Sequence, residues 1–216
     1  MSEASYPVLI RAMRMESPTV MSYELSPEEG VALPAFLPGD HVDVRVPGGP
    51  RRSYSLISRA SDGAGYEIAV KREAASRGGS AWLHEQARVG SRLEIAAPTG
   101  GFALVEDAPH SVLIAGGIGI TPLLAMAERL TALGRPWDLH YSARASEDLV
   151  FRRRVEALAA AGRGRVRLYV SGAGEPMAAR MALPEIVGGA DTATLLYCCG
   201  PNGMIDAFLA AGSGRA

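Results

Sequence analysis

The apolar positions follow two different rhythms along the chain. Up to about residue 105 they come in short alternating runs broken by Pro and Gly, which is typical of antiparallel strands. We predict strands at residues 7–15, 20–25, 41–46, 52–57, 66–72 and 92–96, with turns at 38–40, 47–50 and 62–63. A single convincing helix is expected over 81–87, opened by Ser80. The first half therefore reads as a small antiparallel barrel.

After residues 107–109, continuous apolar strands alternate with amphipathic helices, as in a parallel sheet covered on both faces. Strands are predicted at 111–115, 137–142, 166–170 and 194–199. Thr121 is the expected N-cap of one helix with Pro122 at its first position, Ser146 is the expected cap of the next, and a closing helix spans 202–211. We predict two domains: an antiparallel six-stranded β-barrel at 1–107 and an α/β domain with a parallel sheet at 108–216.

The charge and composition of the chain argue against nucleic acid as a partner and against a membrane segment. The 22 Lys and Arg against 23 Asp and Glu give a net charge of −1, and no basic block is interleaved with aromatic residues, so nucleic acid is not expected as a partner. The start has no signal region, and no eighteen uncharged apolar residues run together. We expect a cytoplasmic protein without a membrane segment, and the sequence predicts no oligomeric state.

The cysteines and histidines exclude several chemistries. Cys198 and Cys199 are the only cysteines. Because they are adjacent, a disulfide between them would be strained, and two thiolates are too few for an iron–sulfur cluster, which needs four. The four histidines show no metal-ligand or nucleophile-base spacing, so we expect structural roles for them and no metal site. They are His41, His84, His110 and His140.

Two motifs in the first half could hold a cofactor. One is Arg52-Ser53-Tyr54-Ser55-Leu56, where strand alternation would turn Tyr54 and Leu56 to one face and the serines to the other. The second is Arg77-Gly78-Gly79-Ser80, whose glycines let backbone N–H groups approach an anion closely. Together they suit a phosphorylated aromatic cofactor, although an ordinary turn with an N-cap explains the second motif equally well.

Two glycine-bearing strand ends in the second half could bind a nucleotide. Gly116-Gly117-Ile118-Gly119-Ile120-Thr121-Pro122 lies where a buried strand turns into a helix, although its spacing departs from GxGxxG and glycine could serve packing alone. Cys198-Cys199-Gly200-Pro201 lies at the same carboxyl edge of the predicted sheet. Two such ends converging favour a crevice, in which Cys199 either lines the pocket or packs as a small hydrophobe.

In this order, Arg52-Ser53-Tyr54-Ser55-Leu56, the Gly116 to Pro122 segment and Cys199-Gly200-Pro201 resemble the three signatures of the ferredoxin–NADP reductase superfamily. The resemblance implies a flavin-binding six-stranded barrel followed by a nicotinamide-binding α/β domain. Ile68-Ala69-Val70-Lys71-Arg72-Glu73 and Arg77-Gly78-Gly79-Ser80 look most like the phthalate dioxygenase reductase branch, including vanillate demethylase reductases. That branch implies FMN rather than FAD.

The same resemblance implies roles for particular residues. The residues expected to bind the phosphate, the ring or the ribityl edge of the flavin are Arg52, Ser53, Tyr54, Ser55, Ala69, Val70, Lys71, Gly78, Gly79 and Ser80. The pyridine nucleotide would be held at its pyrophosphate and nicotinamide: Gly116, Gly117, Gly119, Thr121, Pro122, Cys199, Gly200 and Pro201. Ser55, near flavin N5, and Cys199, at the nicotinamide, are the candidate catalytic residues. The resemblance favours NADH, and NADPH stays open because Arg144 would either meet a 2′-phosphate or face solvent.

The implied activity is hydride transfer from the nicotinamide to flavin N5, followed by single-electron transfer to an iron–sulfur or haem acceptor of an oxygenase system. The alternative is a non-catalytic flavin-binding subunit that regulates or assembles a larger redox complex. Members of this branch normally continue into a plant-type ferredoxin domain with C-x4-C-x2-C. We therefore expect the acceptor to be a separate ferredoxin-type or oxygenase protein, or a further part of a longer polypeptide.

Overall fold

The computed structural model describes residues 4–59, 63–73, 78–162, 164–172 and 179–214. The chain divides into two compact units, Met1–Leu104 and Val105–Ala216. The turn at Asp62 and the side chain of Arg77, both singled out from the sequence, lie outside the described residues.

The first unit is a closed barrel of six strands in the order β1-β2-β5-β4-β3-β6. All of its described strand pairs are antiparallel. The strands are β1 (Ser5–Ser17), β2 (Val20–Pro27), β3 (His41–Arg45), β4 (Arg51–Arg59), β5 (Tyr66–Lys71) and β6 (Arg92–Ala96), with helix α1 (Gly79–Glu85) between β5 and β6. The fold predicted from the alternating pattern is confirmed.

Alternation explains which side chains fill this barrel. Val8 and Ile10 on β1, and Val42 and Val44 on β3, are two residues apart and point to the same side, where they are almost completely buried. Leu83 of α1 joins the same cluster. Strand β5 buries five consecutive residues, Tyr66 to Val70, instead of every second one.

The second unit is a four-stranded parallel sheet in the order β10-β7-β8-β9. Its elements are β7 (His110–Gly116), α2 (Ile120–Ala132), β8 (Trp137–Ala143), α3 (Arg152–Ala161), β9 (Gly164–Val170), α4 (Leu183–Gly189), β10 (Thr194–Cys199) and α5 (Asn202–Gly212). The chain runs from β7 outward to β9 and then returns to the other side of β7 as β10. The strand order thus reverses between β7 and β10, which is where open α/β sheets bind ligands.

Helices cover the two faces of this sheet unequally. Val112 and Ile114 of β7 pack against Leu183 and Val187 of α4, with Phe208 of α5 beside them. Helices α2 and α3 contact β7, β8, β9 and β10 without joining that cluster, so they lie on the opposite face.

Three predicted helix starts are wrong, and one helix was missed. Helix α1 begins at Gly79 with Gly78 as N-cap, so Ser80 lies inside the helix and does not open it. Helix α2 begins at Ile120 with Gly119 as N-cap, and the Thr121 hydroxyl donates to the Ile118 carbonyl oxygen at 3.0 Å instead of capping the helix. Ser146 opens only a short 3-10 turn, and α3 begins at Arg152 after Phe151, whose φ is 57°. Helix α4 was not predicted, although Pro184 in its first turn is a recognised start signal.

Among the helices of the described residues, none has the length and apolar character needed to cross a membrane.

Candidate functional site

Strands β4 and β5 of the barrel separate over part of their length. Their pairing runs from Arg59 opposite Tyr66 to Leu56 opposite Ile68, with a register shift between Leu56 and Ser58. Beyond Leu56, β4 continues to Arg51 and pairs with β3 instead, while β5 continues to Lys71 and pairs with β2. In this unpaired segment, β4 and β5 are not hydrogen-bonded to each other. It contains the residues expected at the flavin ring, which are Tyr54 and Ser55 on β4 and Ala69 to Lys71 on β5.

Arg52, Tyr54 and Gly79 are brought together beside this segment. A Cβ built on Gly79 would lie 2.8 Å from Cγ of Arg52 and 3.5 Å from the Tyr54 hydroxyl oxygen. No side chain larger than hydrogen fits there without moving Arg52. The structure thus places the arginine, the aromatic ring and the glycine turn, twenty-seven and twenty-five residues apart along the chain (79 − 52 and 79 − 54), in one cluster.

The glycine turn has the backbone that glycine alone adopts easily. Gly78 has φ 116°, and its carbonyl oxygen accepts from the Trp82 amide at 2.8 Å. Ser80 is almost fully buried, and its hydroxyl oxygen accepts from the Glu73 amide at 3.3 Å. The turn is therefore tied to the end of β5.

The remaining first-unit residues differ in what they can offer. Ser53 is exposed and donates to Asp43 Oδ1 at 2.5 Å, on the face opposite Tyr54. Val70 is 1% exposed within the barrel core, and its carbonyl oxygen lies 2.8 Å from Nε2 of His84. The Val70 side chain packs in the core, so β5 would offer the ring edge its remaining backbone groups and the exposed Lys71.

Burial sets the protonation of the two tyrosines at this end of the barrel. It raises the pKa of Tyr54 to about 12, although the charge of Arg52 opposes the shift. Burial also raises the pKa of Tyr23, with a smaller contribution from Tyr54, and the Tyr23 hydroxyl donates to the Leu83 carbonyl oxygen at 2.9 Å. Both phenols stay neutral at physiological pH. The Tyr23 hydrogen bond, which the sequence did not indicate, holds α1 to the barrel.

In the second unit, the two glycine-bearing strand ends are in direct contact. A Cβ on Gly119 would overlap the carbonyl group of Cys199 and lie 2.8 Å from the Gly200 nitrogen. A Cβ on Gly200 would lie 3.2 Å from the Gly116 backbone, and one on Gly116 would lie 2.8 Å from Cδ of Pro201. At Gly119 and Gly200 a side chain would collide with the backbone of the other turn, and at Gly116 it would collide with the side chains of Pro201 and Met204.

Gly117 differs from these three glycines. Its φ is 54°, and a Cβ there would meet nothing within 4 Å. It therefore presents open backbone at the carboxyl end of β7, as a pyrophosphate site requires. Thr121 and Pro122 behind it are buried, and because the Thr121 hydroxyl donates to Ile118, it is not free to donate to a phosphate.

Cys199, Arg144 and Met204 complete this edge. Cys199 is half-buried, and burial raises the pKa of its thiol, so a thiolate is not formed at neutral pH. Arg144 follows β8 at the carboxyl edge of the sheet and is exposed. The side chain of Met204, at the end of the second glycine-bearing segment, would lie 2.9 Å from a Cβ on Gly116 and 2.8 Å from one on Gly200, so it packs against both turns.

Comparison with known proteins agrees with this architecture. Residues 113–210 match the family described as oxidoreductase NAD-binding domain. The chain is 46% identical over 192 residues to tetrachlorobenzoquinone reductase of Sphingobium chlorophenolicum, covering 89% of this chain and 59% of that protein. It is 40% identical over 194 residues to vanillate O-demethylase oxidoreductase of Pseudomonas putida, covering 90% and 59%. The chain thus spans about three fifths of these relatives.

Among solved structures, phthalate dioxygenase reductase superposes with a TM-score of 0.86 at 32% identity, covering 99% of this chain and 65% of that one. Its structure is described as modular, for electron transfer from pyridine nucleotides to [2Fe–2S]. The predicted resemblance to this branch is confirmed. The chain belongs to the ferredoxin–NADP reductase superfamily, with that family's flavin-binding barrel fold as its first unit and an NAD-binding domain as its second.

Proposed function

We propose that this chain is an FMN-dependent NAD(P)H oxidoreductase that passes electrons to the iron–sulfur or haem acceptor of an oxygenase system. The observation that carries the proposal is the contact of Gly79 with both Arg52 and Tyr54, beside the unpaired segment between β4 and β5. A phosphate-binding turn and a ring-binding tyrosine in contact suit one flavin.

The residues of the first unit fit this cofactor. Arg52 and the backbone of Gly78 and Gly79 would hold its phosphate, with Ser80 fixing the turn. Tyr54 would pack on the isoalloxazine, and Ser55 would lie near its N5. Because the arginine, the turn and the tyrosine lie so close together, the cradle suits the single phosphate of FMN better than the longer FAD.

In the second unit, Gly117 with its open backbone would receive the pyrophosphate of the nucleotide. Gly116, Gly119 and Gly200 hold the two turns together, and Cys199 and Pro201 would shape the nicotinamide site. Bound flavin would supply hydride acceptance and single-electron release. The protein's part is to bind and orient the two cofactors, with NADH favoured over NADPH, and no side chain is required as a general acid or base.

The acceptor is proposed from the relatives. One is an O-demethylase oxidoreductase, and phthalate dioxygenase reductase is described as delivering electrons to [2Fe–2S]. Since the chain has two cysteines, a [2Fe–2S] acceptor would lie on another protein or on a further part of a longer polypeptide.

A second candidate is direct reduction of a quinone. The relative at 46% identity is a tetrachlorobenzoquinone reductase, so the same pair of sites could serve an organic acceptor. The non-catalytic subunit is a third possibility, which nucleotide-driven flavin reduction would exclude.

The flavin site is tested by comparing ligands with and without a phosphate. We expect the purified chain to absorb near about 450 nm and to release FMN. Arg52→Gln should weaken FMN binding about tenfold while changing riboflavin affinity less than about twofold, since riboflavin has no phosphate. Arg14→Gln, an exposed barrel arginine, is the control and should leave both affinities unchanged. An equal loss for both ligands would contradict the assigned role of Arg52.

The activity is tested by stopped-flow mixing with NADH or NADPH, followed by an acceptor. Rapid bleaching of the flavin supports the reductase and excludes the non-catalytic subunit. Faster turnover with a plant-type [2Fe–2S] protein than with a halogenated benzoquinone supports the oxygenase assignment, whereas the reverse favours the quinone reductase. A chain that binds no flavin on reconstitution would end the proposal.

A further inference from the structure

One face of the parallel sheet is apolar at β7 and β10 but polar at β8 and β9. On the face that α4 and α5 cover at β7 and β10, strands β8 and β9 instead carry Asp138 opposite Arg165 and His140 opposite Arg167. Parallel sheets are normally apolar on both faces. These side chains line a cavity of about 540 Å³ whose other wall includes Arg180 and Glu185 of the segment around α4.

His140 is the unusual residue in this cavity. It is only 5% exposed, its ring stacks on Tyr169 at 5.9 Å, and its Nδ1 lies 2.8 Å from the Tyr169 hydroxyl oxygen. Burial, and after it the charge of Arg167, lowers the pKa of His140, so the ring is neutral at physiological pH. With the Tyr169 phenol as the donor to Nδ1, the ring hydrogen lies on Nε2, whereas the reverse direction would leave Nε2 as an acceptor.

That Nε2 has no hydrogen-bond partner among the described residues. Nε2 is also not fully buried. In the described part of the chain, the Ser111 hydroxyl oxygen is the one side-chain polar atom that is both fully buried and without a hydrogen-bond partner, so Nε2, which has no partner, must be accessible. Nε2–H therefore reaches the cavity that His140 lines. A nearly buried donor with no protein acceptor is expected to serve a ligand or an ordered water.

Two arginines that line the cavity have no ion-pair partner among the described residues. Arg165 pairs with both carboxylate oxygens of Asp138, at 2.6 and 2.8 Å. Asp191 accepts from the Ala193 amide and the Thr194 hydroxyl. Arg167 and Arg180 have no ion-pair partner within the described ranges, and Glu185 is the remaining acid on this wall. Among the described residues that line the cavity, two arginines without an ion-pair partner thus outnumber the one remaining acid, Glu185.

We propose that this cavity is a second anion site of the NAD-binding unit, in which Arg167, Arg180 and Nε2–H of His140 bind a phosphate or carboxylate group. It lies on the face of the sheet, whereas the glycine turns proposed for the nucleotide lie at the carboxyl ends of the strands. The site is independent of the proposed flavin chemistry.

The test follows the His140 ring nitrogens by NMR in the full chain loaded with its flavin, while inorganic phosphate is titrated against chloride at constant ionic strength. The free protein should show the Nε2–H form, and phosphate should shift that resonance saturably. Because the signal belongs to His140, phosphate bound at the flavin or nucleotide sites does not mimic it. A different tautomer, or a resonance that does not move with phosphate, overturns the proposal.

Substitutions sharpen the result. Arg167→Gln, and independently Arg180→Gln if the first variant is unstable, should raise the phosphate Kd at His140 about fivefold or more. Arg153→Gln, which removes an exposed arginine from α3, makes the same change in net charge and should alter that Kd less than about twofold. If all three variants raised the phosphate Kd equally, the effect would come from the net charge of the protein, and the proposed anion site would be wrong. Repeating the titration with citrate distinguishes a carboxylate ligand from a phosphate ligand.

Discussion

The backbone of Gly119 lies directly against the carbonyl group of Cys199, so the turn after β7 and the end of β10 leave no room for a side chain between them. This contact joins the first and last strands of the second unit at the point where the strand order reverses. A Cβ at this position would push on backbone, which cannot rotate away as a side chain can.

Gly119→Ala should therefore destabilise the second unit by about 1 to 3 kcal/mol, the usual cost of overpacking. Trp137 is buried in that unit, so in a Trp82→Phe background its fluorescence reports denaturant unfolding of the second unit alone. Gly203→Ala in α5, where a Cβ would meet nothing within 4 Å, is the control and should be neutral or slightly stabilising. Equal stability of the two variants would contradict the contact.

Stability of the barrel should fall at alkaline pH. The pKa of Tyr54 is about 12 in the folded chain and 10.0 ordinarily, so the folded state holds its proton more tightly. That contribution is complete below about pH 10 and is lost as pH rises toward 12. Tyr23 and Tyr54 act in the same direction. Denaturant unfolding followed at Trp82 should show this loss, and Tyr54→Phe should make it shallower. An unchanged pH dependence in that variant would show that Tyr54 does not contribute.

The two cysteines should react slowly at neutral pH. Burial raises the pKa of Cys198 to about 11 and raises that of Cys199 as well. Alkylation of Cys198 by iodoacetamide at pH 7 should be about a hundredfold slower than for a free cysteine, because two pKa units remove that much thiolate, and the reaction of both thiols should accelerate with pH. Because a protonated thiol is neither a nucleophile nor a base, Cys199→Ala should lower the rate of flavin reduction by less than about tenfold. A larger loss would indicate that the thiol takes part in the chemistry.

Arg144 should discriminate between the two nucleotides. It is exposed at the carboxyl end of β8, where a 2′-phosphate would be met by a cation. Arg144→Gln should lower kcat/KM for NADPH about tenfold and leave kcat/KM for NADH within about twofold. The matched control is Arg153→Gln on α3. A similar loss with both nucleotides would place Arg144 in general nucleotide binding, and no loss with either would leave it facing solvent.

The elements were predictable to the extent that local periodicity specifies them. Strands β6 and β10 have the predicted bounds, and the other strands differ only at their ends. The errors occurred where local signals compete. Thr121 carries a capping hydroxyl, but Gly119, which lies against the Cys199 carbonyl group, is the N-cap and α2 begins at Ile120. Val70 was expected at the flavin ring, and its side chain packs in the barrel core together with Leu83 of α1.

By itself the sequence determined the order of the elements, the change from barrel to parallel sheet and the three motifs, because these depend on residues near one another in the chain. Only the tertiary structure decided that Gly79 touches Arg52 and Tyr54, that the β4–β5 pairing stops at Leu56, and that His140 faces a polar cavity. Such features depend on strand register and on packing between distant segments. No local pattern of side chains encodes them.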